Sequence, residues 1–376
     1  MKNSGELKIP NSCESIGTQA FRRTKFNSID LGTGVQTIGV ESFQDSFTRA
    51  NGTTGTLRIP DSCKTIGEEA FENNGFQKII LGNGVTGIGK EAFWGLNYVS
   101  EDFEIPKQLK VIDDTSFYRM GQLMSTVSPA VPPKFILPED NSLEFVGVNA
   151  FRDIKQSNGW APFDGDTVYF PNLRTVEGAG FIFCNIFDGC NISFDEKYTG
   201  NFEIEGNAFY QCGFTGNMTL PKKANLQNNC FFDNKFDGYL KGPATQNNGF
   251  PNIVYNAFSN SDFHKLIVPD YVEIISGLTD SESFNTTQRG YSYYEPFADQ
   301  SSIEFESTSN VKVIDDWAFN GFSFTGDLRL PRSLSHIGHD AFADNTQYQS
   351  IRLQQGDFYY ESGTAAIDSG AFRDCG

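Results

Sequence analysis

The chain has 376 residues and a formal net charge of −18, with 36 Phe and 37 Gly against only 3 His and 4 Met. That balance excludes a general nucleic-acid binder, which needs clustered Lys and Arg to displace counterions from phosphates, and it disfavours an anionic membrane surface. No apolar run is long enough for a membrane-spanning helix, and the length suits either several domains or one long repeat array.

The first residues, MKNSGELKIP, lack the basic and apolar regions of a secretory leader. Repetition follows at once: IPNSCESIGTQAF from Ile9 returns as IPDSCKTIGEEAF from Ile59, and residues 5–43 overlie 55–93 without a gap. The unit is itself double, because Phe21, Phe43, Phe71 and Phe93 follow one another at 22, 28 and 22 residues. Within one turn, GTLRIP alternates and ends in a residue that cannot donate to a ladder, which predicts a brief strand with Leu57 and Ile59 inward and Arg58 outward. Cys63 and Ile66 then point inward, Gly67 is expected at a tight or positive-φ corner, and EEAF is expected as a single helical or 3₁₀ turn that plants Phe71 in the core.

Further along, the same signature recurs at Phe117, Phe151, Phe181, Phe209, Phe231, Phe258, Phe297, Phe319, Phe342 and Phe372, which makes fourteen turns. Phe284 rivals Phe297 for one of these positions. Segments 121–140, 155–200 and 276–300 fit the pattern poorly and read as insertions. The chain stops at SGAFRDCG, directly after a signature, so it reads as a fragment of a longer, exported protein from which leader and anchor are missing. A single turn buries too little to be stable, but stacked turns give a continuous core and account for the Phe count without any ligand.

The stretches LRIPDSCKTIGEEAF, IILGNGVTGIGKEAF, LRLPRSLSHIGHDAF and VKVIDDWAF resemble the BspA-like leucine-rich repeats of bacterial surface proteins, found also in some parasitic protists, with the pattern L/I-x-I-P followed by V-x-x-I-G-x-x-A-F. The resemblance implies one curved, right-handed leucine-rich repeat solenoid over residues 1–376, built of short strands with short 3₁₀ or helical turns. It also implies an extracellular or cell-surface location and a role in adhesion or protein binding. No catalytic residue comes with this family.

Seven cysteines, Cys13, Cys63, Cys184, Cys190, Cys212, Cys230 and Cys375, form no CxxC pair, and an odd number does not make a disulfide framework. Cys13 and Cys63 take the inward place that Val35, Val85 and Val272 hold elsewhere. Cys184, Cys212 and Cys375 stand three residues after the repeat Phe, where other turns have Thr24, Ser46, Asn74, Asn234, Ser261 and Asn345. A small or polar residue at that corner is expected to bond backbone groups. Cys184 and Cys190 are the one pair close enough in sequence to test for a bridge. His336 and His339 beside Asp340 offer an i, i+3 pair for zinc, but they fall on variable repeat positions and a third ligand is not visible. Asp113 with Asp114, Asp315 with Asp316, and Asp164 with Asp166 lack the further oxygens a calcium site needs. Nucleophile, phosphate-loop and dinucleotide motifs are absent, so neither an enzyme nor a cofactor is expected. Four sequons, at Asn51, Asn191, Asn217 and Asn285, read as chance.

Alternation gives the outward residue of each predicted strand: Lys8, Asp30, Arg58, Ile80, Glu104, Ile136, Tyr169, Ser193, Thr219, Lys241, Ile267, Glu304, Arg329 and Arg352. One Tyr does not make a sugar platform, whereas isoleucines among charges suit a protein surface. The chain is therefore expected to be a monomeric, non-enzymatic binding or adhesion module for a host-matrix, host-surface or neighbouring-cell protein, with no nucleic acid and no membrane insertion. The residues singled out for contact are Arg58, Ile80, Ile136, Tyr169, Ile267, Arg329 and Arg352 on the strands, with Tyr291, Tyr293 and Tyr294 in the last insertion. A structural spacer within a larger surface protein is the alternative, and polysaccharide binding ranks third.

Overall fold

The computed structural model describes residues 5–47, 55–123, 131–242, 257–277, 297–322, 324–353 and 367–375. They form a β-solenoid of about twelve turns, a leucine-rich repeat solenoid with almost no helix. Contacts divide the chain into two compact units, Met1–Cys190 with Glu203–Gly213, and Asn191–Phe202 with Phe214–Gly376.

Where both halves of a turn are described, it carries two strands, one more than the sequence reading placed there. In the first unit the strands that precede the proline pair in parallel as Glu6–Lys8 with Ser28–Asp30, Thr56–Arg58 with Lys78–Ile80, and Phe103–Glu104 with Phe135–Ile136. A second strand of two residues lies just before the glycine. Ser15–Ile16, Thr37–Ile38, Thr65–Ile66, Gly87–Ile88, Val111–Ile112, Phe145–Val146 and Thr175–Val176 make an unbroken parallel row that continues to Glu203 and Ile204. Two residues cannot hold a strand alone; the row persists because each turn buries one Ile or Val beneath it and leaves its neighbour outside.

In the second unit Met218–Thr219, Tyr239–Lys241, Phe263–Val268 and Phe297–Phe305 form one ladder, and Thr325–Leu330 pairs with Gln347–Leu353. Ile274–Ile275, Val313–Ile314 and His336–Ile337 form the short row there. Phe297 is thus not a corner ring. It opens a strand opposite Phe263, because SIEF supplies the alternation that a strand needs, and Phe319 is the corner ring of that turn. The solenoid has about twelve turns against the expected fourteen, and Phe284 lies outside the described residues.

The corner after each glycine is not a helical turn. Its amides alternate: Glu69, Phe71 and Asn73 donate to the carbonyls of Lys90, Ala92 and Trp94 in the next turn at 2.9, 2.8 and 2.8 Å, while Ala70 and Glu72 donate back to Gly67 and Glu69 at 3.3 and 3.2 Å. A helix would send every amide inward and leave the turns unbonded to one another. The left-handed residues are Glu69 and Asn73, at φ 52° and 56°, and Gly67 is not among them. Gly67 is needed for a different reason: a Cβ there would lie 2.8 Å from the Gly39 carbonyl carbon and the Val40 nitrogen of the preceding turn.

This corner delivers one Phe per turn into a column of nearly parallel rings. Phe43 and Phe71 lie 5.1 Å apart, Phe71 and Phe93 5.6 Å, Phe93 and Phe117 5.3 Å, and Phe151 and Phe181 4.9 Å. In the second unit Phe319, Phe342 and Phe372 continue in the same way at 5.0 and 5.3 Å. Each buried ring contributes roughly 1.5–3 kcal/mol by transfer, with the stacked geometry adding to it.

Candidate functional site

The strand alternation expected from the sequence holds: Leu57 and Ile59 are buried and Arg58 is exposed. Parallel pairing in register then sets the outward residues side by side. Lys8 stands next to Asp30, Arg58 next to Ile80, and Glu104 next to Ile136. Thr219, Lys241, Ile267 and Glu304 form a row in the second unit, and Arg329 faces Arg352. Ile136 is 36 % exposed, whereas Ile80, Tyr169 and Ile267 are half-buried by their strand neighbours, so those isoleucines are less open than the sequence reading had them. Tyr291, Tyr293 and Tyr294 lie outside the described residues.

The row is not continuous. No pairing joins Ser28–Asp30 to Thr56–Arg58 among the described residues, although the short row on the other strand of the same turns stays closed. The step there is 28 residues instead of 22, and the extra length falls between the Phe corner and the pre-proline strand. The ladder opens into a cleft of about 690 Å³ lined by Glu6, Asp30, Arg58, Asp61, Ile80 and Asn83 among others. Its acidic wall is partly spent on the backbone, since Asp30 Oδ1 accepts from Gly32 N at 2.9 Å and Asp61 Oδ1 accepts from Asn83 N at 2.8 Å.

Most charges near the strand faces are matched between turns. Lys78 meets Glu101 at 2.7 Å, Lys134 meets Asp164 at 2.5 Å, and Lys265 meets Glu304 at 3.0 Å. The hydrogen bond from Lys134 holds the Asp164 carboxyl below its ordinary range, so Asp164 is an ion-pair partner and not part of a calcium loop.

The remaining candidates are structural. All seven cysteines are free, Cys184 and Cys190 included. Cys63 is fully buried, and burial pushes its thiol up to about 11. Cys184, Cys212 and Cys375 donate to the carbonyls of Phe151, Phe181 and Phe342, each one turn back, at 2.6, 3.1 and 2.9 Å. Asn74 and Asn345 do the same to Phe43 and Phe319 at 3.1 and 2.7 Å. These side chains bond backbone carbonyls of the corner one turn back, as expected for that position. Asp114 and Asp316, each one residue after the aspartate that takes the usual glycine place, accept from the next turn's Val148 N and His339 N at 2.8 and 2.6 Å. His336 Nε2 lies 3.6 Å from Asp368, while His339 Nδ1 lies 2.9 Å from Ser369 Oγ, so the two imidazoles turn to different partners. No cluster of three or more metal-ligating side chains occurs among the described residues.

The family model of the BspA type leucine rich repeat region matches residues 46–131, 167–288 and 290–376, in six copies. The chain belongs to this family. Among solved structures, this BspA-type chain is similar to a leucine-rich repeat protein from Bacteroides ovatus at 18 % identity and a TM-score of 0.46, over 98 % of this chain and 84 % of that one. A leucine rich cell surface protein from Faecalibacterium prausnitzii matches at 14 % identity and a TM-score of 0.27, over 94 % of this chain and 79 % of that one. No curated protein matches the BspA-type chain.

Proposed function

We propose that this BspA-type solenoid is a non-enzymatic binding module, displayed on or released from a cell surface, that holds a protein partner against its pre-proline strands. The observation that carries the reading is the opening of that ladder between Asp30 and Arg58 while the short row stays closed. A spacer has no use for a recess on one face only. The recess and its flank combine the guanidinium of Arg58, polar loop ends and the apolar Ile80 and Ile136, a mixture that suits a protein surface better than a sugar or a nucleic acid. Surface display is supported by membership of the family, and a rigid backbone presenting variable steps on one face supports recognition over catalysis.

The test is quantitative binding of the full chain to a panel of purified extracellular-matrix and cell-surface proteins. A variant carrying Arg58→Ala, Ile80→Ala and Ile136→Ala is compared with a control, Thr65→Ala, on the short row. The first is expected to weaken the bound partner by about tenfold or more and the control to leave it unchanged. Equal binding by both variants would remove the pre-proline face from the reading, and no bound partner at all would favour a structural spacer.

A further inference from the structure

We infer that Arg329 and Arg352 form a clamp for a single carboxylate on the partner protein, an inference that rests on the protein-binding reading. The two strands Thr325–Leu330 and Gln347–Leu353 run in parallel with Arg329 directly opposite Arg352. Parallel neighbours lie about 4.8 Å apart with side chains on the same face, so two guanidinium groups are held side by side. Like charges directly opposite on a sheet repel and destabilise the pair, and such a placement is costly in the absence of an anion.

Asp327 sits two residues before Arg329 on the same face and, among the described residues, is the carboxylate that lies within 4 Å of both guanidiniums. It does not satisfy them: its oxygen is 3.7 Å from Arg329 Nη2 and 3.9 Å from Arg352 Nη2, both beyond hydrogen-bond length, while its other oxygen accepts from Ser350 Oγ at 2.6 Å. Both guanidinium side chains stay open to solvent, at 64 % and 63 % exposure. Elsewhere on this unit's strands the lysines are matched, Lys241 with Glu306 at 2.7 Å and Lys265 with Glu304 at 3.0 Å. In a chain with a net charge of −18, this is an under-neutralised basic pair on a rigid face.

The charge count selects the ligand. Two guanidiniums and one aspartate leave a single positive charge, which one carboxylate neutralises; a phosphate dianion would overshoot and meet Asp327 as well. Planar forks also match a carboxylate in bidentate geometry, which two lysines at these positions would not.

The experiment uses the full chain, with the Arg Nε–Hε signals followed by NMR during titration with the capped peptide Gly-Gly-Glu-Gly-Gly, its Gln counterpart, and inorganic phosphate. Expected is a joint saturating movement of the Arg329 and Arg352 signals with the Glu peptide and none with the Gln peptide. Affinity should fall about tenfold in Arg329→Lys with Arg352→Lys, which keeps the charge but loses the forks, and should rise in Asp327→Asn. Stationary arginine signals, equal movement with the Gln peptide, or tighter binding of phosphate than of the Glu peptide would each overturn the clamp. Protein binding by the pre-proline face of the first unit is measured separately with the Arg58, Ile80 and Ile136 variant, so either idea can fail without the other.

Discussion

At Glu72 one turn supplies a second carboxylate, Glu69, and the turn before supplies the amide of Gln44, around a side chain only 9 % exposed. Gln44 Nε2 donates to Glu69 at 2.6 Å and to Glu72, and Asn73 Nδ2 donates to Glu72 at 3.0 Å. Burial, then the neighbouring Glu69 and Asp45, raises the Glu72 carboxyl from its ordinary 4.5 to about 7, against the lowering effect of the Gln44 bond. An acid whose pKa is higher in the folded state stabilises the fold fully below its unfolded value and loses that contribution as pH rises through the folded one. The midpoint of thermal unfolding is therefore expected to fall between about pH 5 and pH 8, and Glu72→Gln should flatten that segment of the curve. A profile identical in the variant would show that Glu72 does not titrate in this range. In the sequence Glu69 is one of several charges of the turn, beside Lys64 and Glu68. Those two are exposed, but Glu69 is drawn to Glu72 by two intervening residues of a corner whose geometry the pattern did not disclose.

The corner itself shows what a repeat pattern can and cannot convey. Alternation around Leu57, Arg58 and Ile59 was legible because a strand has one periodicity, and the inward places of Cys63 and Phe71 followed from comparing copies. The second strand was not legible, since Thr65–Ile66 offers a single alternation that is also compatible with a loop. Gly67 was left between a tight corner and a positive φ, because a glycine required for close approach and one required for positive φ look alike in sequence. The two roles separate experimentally. Gly67→Ala places a methyl group 2.8 Å from backbone of the previous turn and should cost about 1–3 kcal/mol in denaturant unfolding. Gly17→Ala, whose added carbon would meet nothing within 4 Å, should stay within about 0.5 kcal/mol of the parent. Equal costs at the two sites would mean that backbone freedom, not proximity, explains the conserved step of the turn.

In the first unit the two rows of strands differ in continuity. The short row stays unbroken across the first unit, whereas the pre-proline strands separate between Ser28–Asp30 and Thr56–Arg58 and again between Lys78–Ile80 and Phe103–Glu104. Ile9 N reaches Asp30 O and Ile59 N reaches Ile80 O, both at 2.8 Å, across the two 22-residue steps. Removing residues 48–53 would turn the long step into a short one and bring Leu31 N to the carbonyl of Arg58. Amide exchange at Leu31 should then slow by about tenfold or more, with loss of the cleft and of any ligand it holds. Unchanged exchange at Leu31 would separate the cleft from the step length.

The alternating corner amides have a genetic counterpart. Since Glu69, Phe71 and Asn73 bond onward and Ala70 and Glu72 bond within, a turn copied whole presents the same donors and acceptors to the turns above and below it. Duplication of a segment therefore adds length without creating an orphaned junction, and loss of one heals in the same way. The gapless overlay of 5–43 on 55–93 is the pattern that such copying leaves behind.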